Sequence, residues 1–329
     1  MSDTADEYRF FAKSMAHGSS PLYEHLALSV ADDPGVLAML GSLPPAKRQP
    51  NLLLAAARYV AGTPRDYAAF REVVLDAREA VVSTMLSRRT QTNEPARCAA
   101  LYPALAALPQ PVALLEVGAS AGLCLLPDRY SYEYIAPDGT TVHAGAPPAD
   151  DGVSLRCRVD GPLPAVAPGA VRVAWRAGID LNPLSVTDED DVRWLRTLVW
   201  PEQHDRLARL DAALAIARRE PPAVESGDLN ERFEEVVARA PAGATLVVFH
   251  TAVLDYVPEP GRGAFVERMR RLDGHWLSQE LPTVFPQLAA RLPEEAPGDI
   301  LAYAIHLDER PLAFAGLHGS WMRTFGAQP

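Results

Sequence analysis

The sequence predicts an α/β protein, with an all-helical N-terminal domain over residues 1–105 followed by a mostly parallel sheet over 106–329. Three observations carry this reading. No strand pattern occurs before residue 105. The apolar run Val112-Ala113-Leu114-Leu115 ends in the glycine-rich turn Glu116-Val117-Gly118-Ala119-Ser120-Ala121-Gly122. Beyond that turn, strand and helix patterns alternate through the rest of the chain. With 329 residues the chain has room for one large or two modest domains.

The elements follow in order. Short helices are expected over 6–16 and 21–30, and Asn51 opens a buried helix at Leu52-Leu53-Leu54. Asp66 caps a long amphipathic helix, because Tyr67, Phe70, Val74, Ala77, Val81 and Met85 recur at spacings of three and four. The run Val112–Leu115, closed by glycines, suits a buried parallel strand. Residues 130–145 read as a β-hairpin around Pro137-Asp138-Gly139, with Tyr130, Tyr132 and Tyr134 alternating along its first strand. A strand from Val171 runs into Gly178-Ile179-Asp180-Leu181-Asn182-Pro183. Helices follow at 189–199, at 203–218 and around Phe233, before the strongest strand pattern, Thr245–Phe249. A helix through Phe265 and Met269 then precedes strands near 275–279, 299–306 and 312–317.

Composition narrows the partners. The net charge is −11, and no basic run of useful length interrupts it, so a nucleic-acid partner is not expected. Cys98, Cys124 and Cys157 are odd in number and form no CxxC pair, which argues against a disulfide framework or a structural metal site. The acidic N-terminus lacks a signal-peptide pattern, and no apolar stretch is long enough to span a membrane. A cytoplasmic location is therefore expected, with no metal and no membrane partner. Oligomeric state is not legible.

The chemistry gathers around Glu116–Gly122. Small residues between a strand and a helix let backbone approach a ligand, and a helix N-terminus offers free N–H groups to an anion. Asp180 ends a later strand, Gly227-Asp228 follows a helical stretch, and Phe249-His250-Thr251 ends the most apolar strand. This ordered series resembles the class I S-adenosylmethionine-dependent methyltransferases, a Rossmann-like family. The resemblance covers residues 106–320 and implies S-adenosylmethionine as cofactor. Glu116, Gly118, Ser120, Gly122, Asp180 and Asp228 would bind it, with Asp180 on the ribose and Asp228 facing the adenine. His250, Glu280 and Glu94 would orient a small-molecule substrate or remove its proton. Two features depart from the family pattern. Ser120 stands where the middle glycine is common, and the intervals from Glu116 to Asp180 and from Asp180 to Asp228 are long. The whole chain also resembles a mainly actinobacterial family catalogued as a domain of unknown function. That likeness rests on Gln91-Thr92-Asn93-Glu94, Gly118–Leu123 with Asp128-Arg129-Tyr130, Asp180–Leu184 and Val199-Trp200-Pro201-Glu202-Gln203.

Two other classes stay open. Gly118-Ala-Ser120-Ala-Gly122 satisfies G-x-S-x-G, the nucleophile elbow of α/β-hydrolases, with Asp228 or Asp255 as acid and His306 or His318 as base. The helical text before residue 105 and the proline at 127 oppose it. A non-catalytic nucleoside-binding module is the second, and Ser120 in the loop permits it. Asp188-Glu189-Asp190-Asp191 reads as a charged helix start, and Trp200-Pro201-Glu202 as a helix start that packs an aromatic ring.

Overall fold

A computed structural model describes residues 2–91, 93–149, 152–297 and 301–326. Thr92, in the quoted Gln91–Glu94 segment, and the start of the strand expected at 299 lie outside the described residues.

In chain order the helices before the first strand are α1 (Ser2–Phe11), α2 (Pro21–Ala31), α3 (Pro34–Gly41), α4 (Pro50–Ala61), α5 (Tyr67–Asp76), α6 (Arg78–Ser87) and α7 (Cys98–Ala106). Five strands follow: β1 (Val112–Val117), β2 (Ser131–Ile135), β3 (Thr141–Gly145), β4 (Ser154–Asp160) and β5 (Val173–Asp180). Next come α8 (Glu189–Leu198), α9 (His204–Arg219), β6 (Val224–Ser226), α10 (Leu229–Val237), β7 (Thr245–Thr251), α11 (Glu259–Met269), β8 (His275–Glu280) and α12 (Pro286–Ala289). The strands β9 (Ala302–Leu307), β10 (Arg310–Gly316) and β11 (Trp321–Thr324) come last. The residues group into two compact units, one of 1–92 with 188–208 and one of 93–187 with 209–329.

The first unit is helical, and its helix starts follow capping chemistry. Ser20 accepts from the Tyr23 N–H, Asp33 from those of Gly35 and Val36, and Asp66 from that of Ala69. The periodic stretch from Tyr67 to Met85 forms two helices instead of the one expected. Ala77 leaves the helical region (φ −96°, ψ 29°), while Phe70, Val74, Val81 and Met85 still bury one stripe. No propensity signal marks that break, since alanine favours helix. Asp188 caps α8 through the Asp190 and Asp191 N–H groups, and Arg88 pairs with Asp190 and Asp191. The acidic cluster is thus a helix start and an ion-pair site. Glu202 accepts from the Ser20 hydroxyl at 2.6 Å and the Leu22 N–H at 3.0 Å, which ties the Trp200-Pro-Glu segment to the start of α2.

The second unit holds one sheet of order β3-β2-β4-β11-β10-β9-β8-β7-β1-β5-β6. The architecture is α/β, and the sheet is mixed. Six neighbouring pairs are parallel and four antiparallel. Five consecutive strands, β6-β5-β1-β7-β8, run parallel, and β1 is buried along its whole length. The antiparallel part is β9-β10-β11, with β4, β2 and β3 beyond it. The sequence reading passed over β4 and β11 among these, although β4 alternates exposed and buried residues throughout. The tyrosine hairpin extends the far end of this sheet. Its rings are buried, and Tyr130, Tyr132 and Tyr134 donate to the carbonyls of Leu123, Pro127 and Ala99 at 2.7, 2.7 and 2.9 Å. Satisfied in this way, the tyrosines hold the sheet to its neighbours and present no face to solvent.

One face of the parallel strands packs Leu115, Val117, Val248 and Trp276 against Phe233, Phe265 and Met269 of α10 and α11. After β1 the chain first builds β2, β3 and β4 at the far end of the sheet; among the parallel strands, β5 and β6 then lie on one side of β1, and β7 and β8 on the other. The crevice beyond the carboxyl ends of β1 and β7 is therefore a topological switch point, where open α/β sheets bind ligands.

Candidate functional site

The turn after β1 is built from inside outward. Glu116 alternates away from Leu115 and Val117, so its carboxyl enters the face opposite the α10–α11 core. It is fully buried, and Oε2 has no partner among the described residues. Burial pushes its pKa well above the carboxylate range; Cys124 and Asp180 push the same way, and the Arg97 guanidinium draws it back. Gly118 and Gly122 then take left-handed φ values of 73° and 71°, and Ser120, a non-glycine, takes 51°. A Cβ at Gly118 would overlap the Val253 side chain, and one at Gly122 would overlap Pro222. Both glycines are required by close protein contact.

Asp180, at the end of β5, closes this turn. Its Oδ2 accepts the Ser120 N–H at 2.8 Å, and its Oδ1 accepts the Asn182 N–H at 2.7 Å. Asn93 grips the other side, donating to the Ala119 carbonyl at 3.2 Å and accepting the Leu123 N–H at 2.9 Å. One expectation is corrected here. No α-helix follows the turn; Leu123–Leu125 is a single 3-10 turn, and Pro127 begins another. Proline cannot supply an N–H to a continuing helix, and Asn93 takes the Leu123 N–H, so the free helix N-terminus proposed for an anion is not formed.

The next two strand ends carry a second cluster. His250 Nδ1 lies 2.7 Å from Glu280 Oε1, and the Trp276 indole N–H donates to His250 Nε2 at 2.9 Å. Indole is a donor only, so the imidazole proton is placed on Nδ1, where it points at Glu280. The same Glu280 oxygen accepts the Val253 and Leu254 N–H groups at 2.9 and 3.0 Å. Both histidine nitrogens and this carboxylate oxygen thus hold the segment after β7, whose first residue, Ala252, has φ 56°. Non-glycine residues in the left-handed region follow both β1 and β7, the two strands that flank the switch point. Such strain persists only where surrounding structure enforces it.

All six residues expected to bind a cofactor end on the carboxyl side of the parallel strands. Glu116, Gly118, Ser120 and Gly122 cluster with Asp180. Asp228 starts α10 beyond β6, where Ser226 pairs with Asp180, and it accepts the Asn230 N–H at 2.7 Å. His250 and Glu280 end neighbouring strands of the same edge, on the face opposite Glu116. Glu94 caps the turn before α7, accepting from the Ala96 N–H at 3.1 Å and Arg209 Nε at 2.9 Å. Ser120 is buried with its hydroxyl unpartnered, so no histidine contacts it among the described residues. No metal-binding cluster of His, Cys, Asp or Glu occurs among the described residues, and none of their helices is long and apolar enough to cross a membrane.

Four residues at this edge were not singled out from sequence: Arg97, Val253, Gln279 and Tyr303. Arg97 is buried and donates to carbonyls or hydroxyls of Leu317, Thr251 and Tyr303. Gln279 is fully buried with neither amide atom partnered. Nothing local distinguishes Arg97 from the other arginines, and Gln279 stands between Ser278 and Glu280 in His275-Trp-Leu-Ser-Gln-Glu, where polar neighbours give no sign of its burial.

A family model described as "Uncharacterized protein conserved in bacteria (DUF2332)" matches residues 5–323. No curated protein and no solved structure matches the chain.

Proposed function

Since the chain belongs to this DUF2332 family of bacterial proteins, we propose, from the geometry of its sheet edge, that it transfers a methyl group from S-adenosylmethionine to a small molecule. The observation that carries the reading is the convergence of Glu116, Asp180 and Asp228 on the carboxyl ends of adjacent parallel strands, beside the β1–β7 switch point. The likeness to class I methyltransferases supplies the chemistry; the departures are the missing helix after β1 and the β9–β10 hairpin beside β8.

The donor set suits a nucleoside. Asp180 accepts backbone N–H groups on both oxygens, and a carboxylate oxygen can accept more than one donor, a ribose hydroxyl among them. The orphaned Glu116 oxygen marks polar capacity under the turn. Val253 fills the space over Gly118, so the ligand displaces that side chain, and the strained Ala252 joins it to β7. In this reading Asp180 and Asp228 hold the nucleoside, and Glu116, Gly118, Ser120 and Gly122 shape the floor.

Bound S-adenosylmethionine would supply an activated methyl group. The chain's own contribution is alignment, holding an acceptor in line and excluding water. His250 and Glu280 keep the wall after β7 in place: Oε1 of Glu280 meets His250 Nδ1 and accepts the Val253 and Leu254 N–H groups, while Trp276 holds the other nitrogen of the imidazole. Incubation with methyl-labelled S-adenosylmethionine and a pool of small metabolites tests this, with label expected in a low-mass product. Tight binding without label transfer would instead establish a silent nucleoside-binding module, the reading that Ser120 in the loop permits. Substitution Val253→Ala should tighten S-adenosylhomocysteine binding by about tenfold; weaker binding would contradict the displacement.

A further inference from the structure

Arg97 is a buried cation without an ion pair among the described residues. Its Nε donates to the Leu317 carbonyl at 3.1 Å. Its Nη1 donates to the Thr251 carbonyl and hydroxyl at 3.1 and 3.3 Å, and its Nη2 to the Tyr303 hydroxyl at 3.3 Å. All four acceptors are neutral, and a guanidinium has five N–H donors, so one on Nη2 is left over. The guanidinium also lies over the Tyr303 ring, 5.4 Å from its centroid, but a charge removed from water and held only by neutral oxygens and a ring face is costly unless an anion joins it. The nearby Glu116 does not serve, since burial favours its neutral form.

The strand register places a second unsatisfied group beneath this cation. Thr251 on β7 pairs with Gln279 on β8, and Gln279 pairs in turn with Ile305 on β9, two residues from Tyr303. Paired residues share a face, and so do residues two apart in a strand, so Thr251, Gln279 and Tyr303 project to the same side. By reaching Thr251 on one side and Tyr303 on the other, the guanidinium spans the carboxyl end of β8, where the Gln279 amide is fully buried and unpartnered.

We propose that Arg97 and Gln279 form a subsite that binds the carboxylate of a small-molecule ligand. One cation with one spare N–H, beside one primary amide, matches a planar monoanion. A phosphate dianion would call for further positive charge, which no second basic side chain supplies to Arg97's acceptors. The carboxylate belongs either to the amino-acid end of the nucleoside cofactor or to the acceptor. The subsite goes beyond the methyl-transfer reading and stands without it.

The test titrates the full chain with carbon-labelled acetate and with acetamide, its neutral counterpart, at matched ionic strength, reading line broadening by NMR. Acetate should bind at least about tenfold more tightly than acetamide, and Arg97→Gln should lose that preference. Because Arg97 also ties three segments together, Gln279→Met provides an independent arm. It removes an unsatisfied buried amide at nearly constant volume, so the melting temperature should hold or rise while acetate binding falls about tenfold. Equal binding of acetate and acetamide, or unchanged acetate binding in Gln279→Met, would overturn the proposal. Two further ligands identify the source. If S-adenosylhomocysteine displaces acetate and methylthioadenosine, which lacks the amino-acid end, does not, the carboxylate is the cofactor's. If S-adenosylhomocysteine and acetate bind together, it is the acceptor's. If neither nucleoside binds while acetate selectivity persists, methyl transfer fails and the subsite remains.

Discussion

At the residue scale, the buried ionisable groups set opposed pH dependences. Glu116 has its pKa raised by burial, so the folded chain keeps a proton that the unfolded chain releases above the ordinary value of 4.5. Its contribution to stability is therefore fully present below that value and is lost as pH rises towards the folded pKa. Substitution Glu116→Gln should make the protein more stable than the parent at about pH 8 and similar to it near pH 4, measured by denaturant unfolding. His306 behaves in the reverse sense. Burial lowers its pKa from 6.5 to about 4, so the unfolded chain binds the proton first and stability falls as pH drops through that window. The loss approaches about 3 kcal/mol at the acid end, and His306→Leu should abolish it. Gly118 supplies a steric prediction. With φ 73° and Val253 against it, Gly118→Ala should cost about 2–4 kcal/mol, and adding Val253→Ala should restore only the part due to overlap. Glu116, Gly118 and Asp180 were legible because polar or glycine residues at the end of an apolar run are conspicuous. Their hydrogen-bond partners were not, since Asn93 is near Ala119 only through the fold.

At the scale of elements, partners distant in sequence account for the turn after β1 and for the place of β4. The stripe from Tyr67 to Met85 announced an amphipathic helix, and the buried face formed, but nothing local marked the break at Ala77. The turn after β1 looked like the start of a helix and became a 3-10 turn held by Asn93 and Asp180. Two side chains thus replace a helix in fixing that loop. Asn93→Ala removes bonds to Ala119 and Leu123 and should destabilise the chain by about 1–3 kcal/mol, with faster amide exchange at Leu123 than elsewhere in the turn. Equal exchange in parent and variant would remove Asn93 from this role. β4 was readable from its alternation, yet its place beside β11 rests on a parallel pairing of segments far apart in sequence, which periodicity does not encode.

At the scale of the molecule, the ordering of strands decides where ligands bind. An α/β architecture with helices ahead of a sheet was legible from the switch of hydrophobic period near residue 112. The antiparallel continuation through β9, β10 and β11 was not, because the two-residue link Asp308-Glu309 takes left-handed φ values without a glycine to announce a hairpin turn. The account depends on the five parallel strands whose carboxyl ends gather Asp180, Asp228 and the turn after Glu116. The most direct measurement is a calorimetric titration of S-adenosylhomocysteine into the full chain and into Asp180→Asn, which keeps one acceptor oxygen for the turn but removes the charge. Saturable binding by the parent, weakened about a hundredfold by the substitution with the fold intact, is the predicted result. Absence of binding by the parent, or equal affinity in the two proteins, would contradict it.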